Sequence, residues 1–358
     1  MKYLSICLLI LITSSTFGQQ ETFDEVLNYY QTKQNFNGMV LVAKGGKIEF
    51  LQGIGIANRE TNSKISKFST FRIASMTKAF TAVLILQLYE KGKLDLKTPF
   101  GKYFPTYNGN AKNVVTIENL LTHSSGIPDK IGNIGMQPYK KRLSLDDFIN
   151  QYCSEDIVEK PGEKSIYSNV EYIILTKIIE NITQKSFFKV LQEQILIPLK
   201  MSHSGLISNK YKPKGLVDSY SINDSTKTIL KDEPYFAENF FGAGAMYSSA
   251  EDLFKFDQGI FQEKLLSSAN TKLLIKPNPK LGNAAFGVWY ADGYGTFNKP
   301  FIYRTGGILG ANSNWIHTLE DQRCIIVLNN TDGTNLYGMS EQFYLVSKGE
   351  KPSMIKNK

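Results

Sequence analysis

Strand-forming patterns occur at the two ends of this 358-residue chain, and helical patterns occupy its middle. Near the start, β-rich runs at 38–42 and 47–51 flank Gly45-Gly46, a pattern typical of a hairpin. The later strands are expected at 285–290, 301–305, 312–318 and 323–328. Distant segments must therefore pair into one antiparallel sheet, with a helical region inserted between them.

The helical patterns predict how this α+β chain is divided. Helices are expected at 23–30, 75–88, 117–121, 145–152, 170–182, 187–197 and 336–346. No repeat or linker interrupts the chain, which predicts a single domain over 19–347 with two lobes. The sheet lobe should take about 19–72 and 245–347, and the helical lobe about 73–244. Residues 348–358 are expected to form a flexible tail.

The first residues have the pattern of a secretory signal. Met1-Lys2-Tyr3 gives a cationic start, and the apolar run at 4–12 is too short to span a bilayer core of about 30 Å. The small-x-small stretch Thr16-Phe17-Gly18 predicts cleavage after residue 18. We therefore expect an exported protein, periplasmic or secreted, without a stable membrane anchor. The alternative is an N-terminal anchor that is retained.

Charge and cysteine usage exclude several other classes of protein. The formal net charge of +8 comes mainly from lysines that are dispersed along the chain, which disfavours a nucleic-acid partner. The histidines are scattered and no CxxC or HExxH occurs, so neither a metal nor another cofactor is expected. Cys153 and Cys324 are expected to stay unpaired. Oligomeric state is left open.

A possible nucleophile lies in Ser75-Met76-Thr77-Lys78, an S-x-x-K tetrad. Residues three apart share one face of a helix, so the lysine amine would lie beside the serine hydroxyl. The same pattern starts at Ser186, in a core-like helix, and at Ser353, in the tail. The alternative role for Ser75 is a helix N-cap.

A nucleophilic serine needs a base. No G-x-S-x-G elbow is present, and His123 is interpreted as a turn residue after a helix, which disfavours a Ser-His-Asp triad. Lysine and tyrosine can act as the base once their pKa values fall towards neutrality. Tyr167-Ser168-Asn169 supplies a tyrosine, although Asn169 could simply cap the following helix while Tyr167 packs.

A third candidate motif closes a strand near the end of the chain. Arg304-Thr305-Gly306-Gly307 combines a cation, a hydroxyl and two glycines, which would let a substrate lie along the strand edge. His203-Ser204-Gly205 has a similar form but follows a helix exit.

With the order S-x-x-K, Y-x-N and cationic-T-G, the chain resembles the serine β-lactamase and penicillin-binding family, nearest to class C β-lactamases and their esterase and D-peptidase relatives. Further landmarks lie at 71–78, 120–128, 161–169, 242–253 and 304–310. The resemblance implies a β-lactamase/transpeptidase-like fold. It implies that Ser75 is acylated, that Lys78 and Tyr167 share its proton, and that Asn169 holds Lys78 and the substrate amide. It also implies an oxyanion hole from the backbone N–H groups of Ser75 and Gly307, and substrate binding by Arg304, Thr305 and Gly306.

Arg304 departs from the family pattern, because class C enzymes have lysine there and many esterase relatives have histidine. Arginine can bind a carboxylate through two hydrogen bonds, so we expect a small-molecule or peptide substrate that bears one. The expected protein is an exported serine hydrolase that cleaves an ester or amide through a Ser75 acyl-enzyme. Esterase or D-amino-acid peptidase activity is favoured over β-lactamase activity. The alternative is a non-catalytic penicillin-binding or sensor protein.

Overall fold

The computed structural model describes residues 2–223 and 225–355, with side chains described for 18–223 and 225–354. The strands are β1 (Gly38–Lys44), β2 (Lys47–Ile54), β3 (Ile56–Asn58), β4 (Ser63–Lys64), β5 (Phe71–Arg72), β6 (Gly205–Leu206), β7 (Tyr220–Ile222), β8 (Ile229–Lys231), β9 (Met246–Ser248), β10 (Trp289–Ala291), β11 (Phe301–Ile308), β12 (Ala311–Thr318) and β13 (Arg323–Asn329). The helices are α1 (Lys2–Gln34), α2 (Thr77–Glu90), α3 (Ile117–Leu121), α4 (Lys130–Ile134), α5 (Leu145–Tyr152), α6 (Val170–Thr183), α7 (Phe187–Leu191), α8 (Phe241–Gly244), α9 (Ala250–Phe261), α10 (Ser268–Leu274) and α11 (Leu336–Ser347).

A six-stranded antiparallel sheet joins the two ends of the chain, in the order β10-β11-β12-β13-β1-β2. Strand β1 pairs with β13 from Gly38 opposite Asn329 to Lys44 opposite Arg323, and with β2 on its other side. The expected α+β fold, with one sheet from N- and C-terminal segments, is confirmed.

The strand expected at 285–290 was predicted too early, since β10 begins only at Trp289. The preceding residues turn against the start of α2 instead. Gly287 has a φ of 72°, and a Cβ on it would lie 2.7 Å from the carbonyl oxygen of Lys78. A positive φ interrupts an extended strand, and glycine adopts it without steric cost.

The central strands β1 and β13 are buried along nearly their whole length, because both faces of the sheet are covered there. On one face, Val40 and Val327 pack with residues of α1 and α11, such as Phe23 and Phe343. On the other face, Leu41 lies in the larger core formed with the helices. Helix α9 covers this second face by contacting β1 and β13.

The N-terminal helix α1 contains the predicted helix at 23–30 and continues to Gln34. It runs without a break past residue 18, where signal cleavage is predicted. Of the predicted signal and tail, residue 1, the side chains of 2–17, the side chain of 355, and residues 356–358 lie outside the described part of the chain. In that described part, no helix combines the length and apolar character needed to cross a membrane.

The middle of the chain is mostly helical, with short strands added. The expected helices at 117–121 and 145–152 are present as α3 and α5. Small antiparallel pairings, β3 with β4, β7 with β8, and β5-β9-β6, occur alongside the helices. Cys153 and Cys324 are both buried free thiols.

Candidate active site

Ser75 lies between the short strand β5 and the long helix α2. It occupies a 3-10 turn at Ala74–Met76, and α2 itself begins at Thr77. The N-cap positions of the turn and of α2 are Ile73 and Met76, so Ser75 does not have the alternative role of a helix cap. The turn is held by the hydroxyl of Thr77, which donates to the carbonyl oxygen of Ala74 at 2.7 Å.

The amine of Lys78 is fully buried beside Ser75. Its Nζ donates to the Oγ of Ser75 at 3.2 Å, to the Oδ1 of Asn169 at 2.6 Å and to the carbonyl oxygen of Ala243 at 2.8 Å. An ammonium has three donors, and each has an acceptor here. Because no carboxylate is among these acceptors, the amine is solvated by neutral groups only.

Tyr167 and Asn169 come from the turn that leads into α6. The hydroxyls of Tyr167 and Ser75 are hydrogen-bonded at 2.5 Å. Asn169 stands at the N-cap position of α6 but makes no side-chain cap bond, because its amide oxygen accepts from Lys78. The Oγ of Ser168 accepts from the N–H of Val170 instead. Asn169 is therefore not the helix cap that the sequence left open as an alternative.

Strand β11 brings the third motif against the nucleophile. The Nε of Arg304 donates to the carbonyl oxygen of Ser75 at 3.0 Å, and its Nη2 lies 3.4 Å from the hydroxyl of Tyr167. A Cβ on Gly306 would lie 2.1 Å from the carbonyl oxygen of Ile73, so only glycine permits this approach.

One edge of β11 is open beyond its first residues. Strand β10 pairs only with Phe301, Ile302 and Tyr303, whereas β12 pairs along the whole of β11. Thr305 and Gly307 are exposed on this part of the strand. An extended substrate can therefore add along this edge next to Ser75.

Burial and charge tune the basic groups of the site. Desolvation lowers the pKa of Lys78 to about 8. For Tyr167, desolvation acts to raise the pKa, but the cations Lys78 and Arg304 and the hydrogen bonds outweigh it, leaving the pKa at about 8. Both groups can therefore exchange protons near neutral pH.

The remaining sequence candidates have structural roles. Ser186 caps α7 by accepting from the N–H of Lys189. In His203-Ser204-Gly205, the hydroxyl of Ser204 donates to the buried carboxylate of Asp252 at 2.9 Å, so this motif fastens the start of β6.

Sequence reasoning missed three residues around the site: Ala243, His123 and Glu171. Ala243 binds Lys78 through its backbone, which leaves no side-chain signal. His123 lies in the turn after α3, as expected, but it is also buried, with its ring centroid 4.7 Å from that of Tyr167, and no sequence pattern indicated this burial. Glu171 is buried near it, and a single acidic residue at the start of an apolar helix was the available signal.

The combination of this fold with this cluster defines the class of protein, a serine hydrolase of the β-lactamase type. The beta-lactamase family model matches residues 23–346. The chain belongs to the beta-lactamase family.

Two relatives illustrate the similarity in sequence. The chain is 28% identical over 325 residues to penicillin-binding protein 4* of Bacillus subtilis, covering 85% of this chain and 70% of that protein. It is also 28% identical over 327 residues to the teichoic acid D-alanine hydrolase of Staphylococcus aureus, covering 91% and 78%. Other relatives, the Flp proteins of Staphylococcus aureus, are covered over only 64% of their length.

Solved structures agree on the fold. The D-amino acid amidase of Ochrobactrum anthropi superimposes with a TM-score of 0.79 at 18% identity, covering 94% of this chain and 99% of that one.

Proposed function

We propose that this chain is an exported serine hydrolase that cleaves an ester or amide bond through an acyl-enzyme on Ser75. The observation that carries the proposal is the 2.5 Å hydrogen bond between the hydroxyls of Ser75 and Tyr167, next to the buried amine of Lys78. Nucleophile and base are thus in contact without a histidine. The cationic start and short apolar run at the N-terminus support export.

The first half-reaction follows from these contacts. Tyr167, as phenolate, accepts the proton of Ser75 while the Oγ attacks the substrate carbonyl carbon. The ammonium of Lys78 stabilises the phenolate before the transfer. Collapse of the tetrahedral intermediate then breaks the bond to the leaving group, which takes the proton from Tyr167.

Water completes the reaction by attacking the carbonyl carbon of the acyl-enzyme while Tyr167 accepts its proton. The bond to Ser75 then breaks, and the Oγ takes the proton back from Tyr167. The negative oxygen that forms in each step needs two donors, and we assign them to the backbone N–H groups of Ser75 and Gly307. One such donor is typically worth about 2.7–4 kcal/mol in an oxyanion hole. The close contact of β11 with the Ser75 turn supports this assignment.

The substrate class that we propose is a D-amino-acid ester or amide. Among similar proteins, one is named a teichoic acid D-alanine hydrolase and another a D-amino acid amidase. Thr305 and Gly306 would bind the substrate along the open edge of β11. Arg304 is only 2% exposed and already contacts Ser75 and Tyr167, which favours tuning of the base over its expected capture of a substrate carboxylate.

The test monitors acylation of Ser75 by measuring the mass of the intact protein over time. The protein is incubated with benzylpenicillin, with D-alanine methyl ester and with D-alanine amide, and the L-isomers and Ser75→Ala serve as controls. We expect hydrolysis of the D-alanine compounds, lost in Ser75→Ala. A penicillin adduct that persists, without turnover of any compound, would support the sensor alternative. No adduct and no hydrolysis would contradict both.

A further inference from the structure

A buried histidine and a buried carboxyl group lie directly behind Tyr167. The side chains of His123 and Glu171 are 3% and 2% exposed, and the Nδ1 of His123 lies 3.4 Å from the Oε2 of Glu171. The Oε1 of Glu171 accepts from the hydroxyl of Ser125 at 2.8 Å. The reaction proposed above assigns no role to this pair.

His123 contacts the chain on both sides of Tyr167. Its carbonyl oxygen accepts from the N–H of Ile166 at 2.8 Å, and its Nδ1 lies 3.4 Å from the N–H of Ser168. Its ring packs between the rings of Tyr167 and Tyr172, at centroid distances of 4.7 and 5.1 Å. The histidine therefore restricts both the backbone and the ring of Tyr167.

We propose that His123 and Glu171 are positioning residues of the reaction: a neutral buried pair that holds Tyr167 against Ser75 and keeps negative charge away from Lys78. This inference rests on the proposed function. A protonated Glu171 donates its O–H towards the Nδ1 of His123, which places the imidazole proton on Nε2. That Nε2 has no hydrogen-bond partner among the described residues.

The surroundings of the pair favour its neutral form. Burial, together with the cations Arg304 and Lys78, holds the pKa of His123 well below its usual range. Burial raises the pKa of Glu171 to about 8. The other titratable groups around Glu171 are Asp129, Lys78, Tyr172, Tyr107 and Cys153.

A small cavity adjoins the pair, and both His123 and Glu171 contribute to its lining. Its volume is about 60 Å³, and Ile127, Val158, Lys164 and Ile166 are among the residues that line it. A cavity of this size has room for a water molecule, and Asp129, Glu159 and Lys164 supply polar groups on its mostly apolar lining. Protons can therefore reach Glu171, so that its ionisation at alkaline pH would add a negative charge that opposes deprotonation of Lys78 and Tyr167.

Three variants test the proposal. His123→Asn keeps a residue that tolerates the φ of 55° at this position and an acceptor near the place of Nδ1, but removes the ring. Glu171→Gln keeps a neutral group beside Ser125. His317→Asn is the matched control, because His317 is equally buried and pairs with Asp257 at 2.8 Å in another part of the core.

The first measurement is the titration of Tyr167 by tyrosinate absorbance, taken as the difference from Tyr167→Phe. The second is the pH profile of the burst with p-nitrophenyl acetate. In His123→Asn we expect a higher pKa for Tyr167 and about tenfold slower acylation at neutral pH, with KM changed far less. In Glu171→Gln we expect a neutral rate within about twofold of wild type and an alkaline limb that falls at lower pH, because no negative charge at residue 171 then helps Lys78 to keep its proton.

The proposal is overturned if His123→Asn lowers only the melting temperature, as His317→Asn should. It is also overturned if Glu171→Gln leaves the alkaline limb unchanged or loses the neutral rate. The absorbance titration needs no turnover, so it decides about the pair even if Ser75 does not react with the ester. Failure of acylation in the wild-type protein would count against the proposed function instead.

Discussion

Two buried cations dominate the candidate site at the residue scale. Lys78 is 0% exposed and Arg304 is 2% exposed, and neither forms an ion pair with a carboxylate among the described residues. Burying an unpaired charge is costly, so a compensating anion is expected. The hydroxyl of Tyr167 is the group placed to supply it, because both cations lie over its ring, at 4.9 and 5.3 Å.

Removing the charge of Arg304 should therefore shift the pH dependence of the reaction. The guanidinium lowers the pKa values of Tyr167 and Lys78, so Arg304→Gln should raise both. The rising limb of kcat/KM should move to higher pH by about one pH unit, because Tyr167 then becomes a phenolate only at higher pH. The measurement is kcat/KM against pH with p-nitrophenyl acetate.

Arg72→Gln is the control for Arg304→Gln, since Arg72 donates to the carbonyl oxygen of Val217 and lies outside the site. An unchanged rising limb in Arg304→Gln would contradict the tuning role. A selective loss of carboxylate-bearing substrates over neutral ones would restore the role first expected for Arg304, that of binding the substrate carboxylate.

At the scale of elements, the site depends on how closely β11 approaches the turn before α2. A hydrogen bond to the backbone of this turn helps to fix the approach: the hydroxyl of Ser313 on β12 donates to the carbonyl oxygen of Ile73 at 3.0 Å. Ala74 has a φ of 44°, a conformation that a non-glycine residue adopts only at a cost. The turn that presents Ser75 is thus held by its neighbours against the conformational preference of Ala74.

Gly306→Ala should separate these two elements. The new Cβ would meet the carbonyl oxygen of Ile73 at 2.1 Å and the Oγ of Ser313 at 2.6 Å, so backbone must move. We expect a loss of about 1–3 kcal/mol in the free energy of unfolding and a large loss of acylation. The measurements are urea unfolding and the p-nitrophenyl acetate burst.

Gly307→Ala is the comparison for stability, because its Cβ meets only the side-chain oxygen of Asn312, at 3.0 Å. Equal free energies of unfolding for the two variants would show that the close approach of Gly306 to Ile73 does not contribute to stability.

At the scale of the whole molecule, the two ends of the chain complete one core. Strand β1 lies between β13 and β2, and α1 packs beside α11 on the sheet face opposite the site-bearing helices. Gln19 also reaches α11, donating to the carbonyl oxygen of Val346 at 2.9 Å. The N-terminal segment after residue 18 is therefore part of the folded domain.

Truncation should reveal where the domain begins. A chain that starts at Gln19 keeps Phe23, Val26, Leu27 and Tyr30, all buried, and should unfold at the same urea concentration as the full chain. A chain that starts at Asn35 loses all four, at about 1.5–3 kcal/mol for each large apolar side chain. Since total stability is about 5–15 kcal/mol, the shorter chain should be largely unfolded. A fully stable chain from Asn35 would contradict the packing described for α1.

The positions of the elements were largely readable from the sequence because they depend on local patterns. The hairpin at Gly45-Gly46, the strands of the C-terminal half and the helices of the middle follow from periodicity and turn residues. The strand expected from 285 was misplaced because Gly287 turns against α2, a contact between distant residues that periodicity does not report.

For the site, the order and identity of the motifs at Ser75, Tyr167 and Arg304 are readable from the sequence. The tertiary structure decided which of their alternative roles applies. Asn169 binds Lys78 instead of capping α6, and Arg304 contacts the hydroxyl of Tyr167. It also placed His123 and Glu171 behind the site. The physical reason is that caps and turns are local, whereas burial, charge and shifted pKa values depend on residues that only the folded chain brings together.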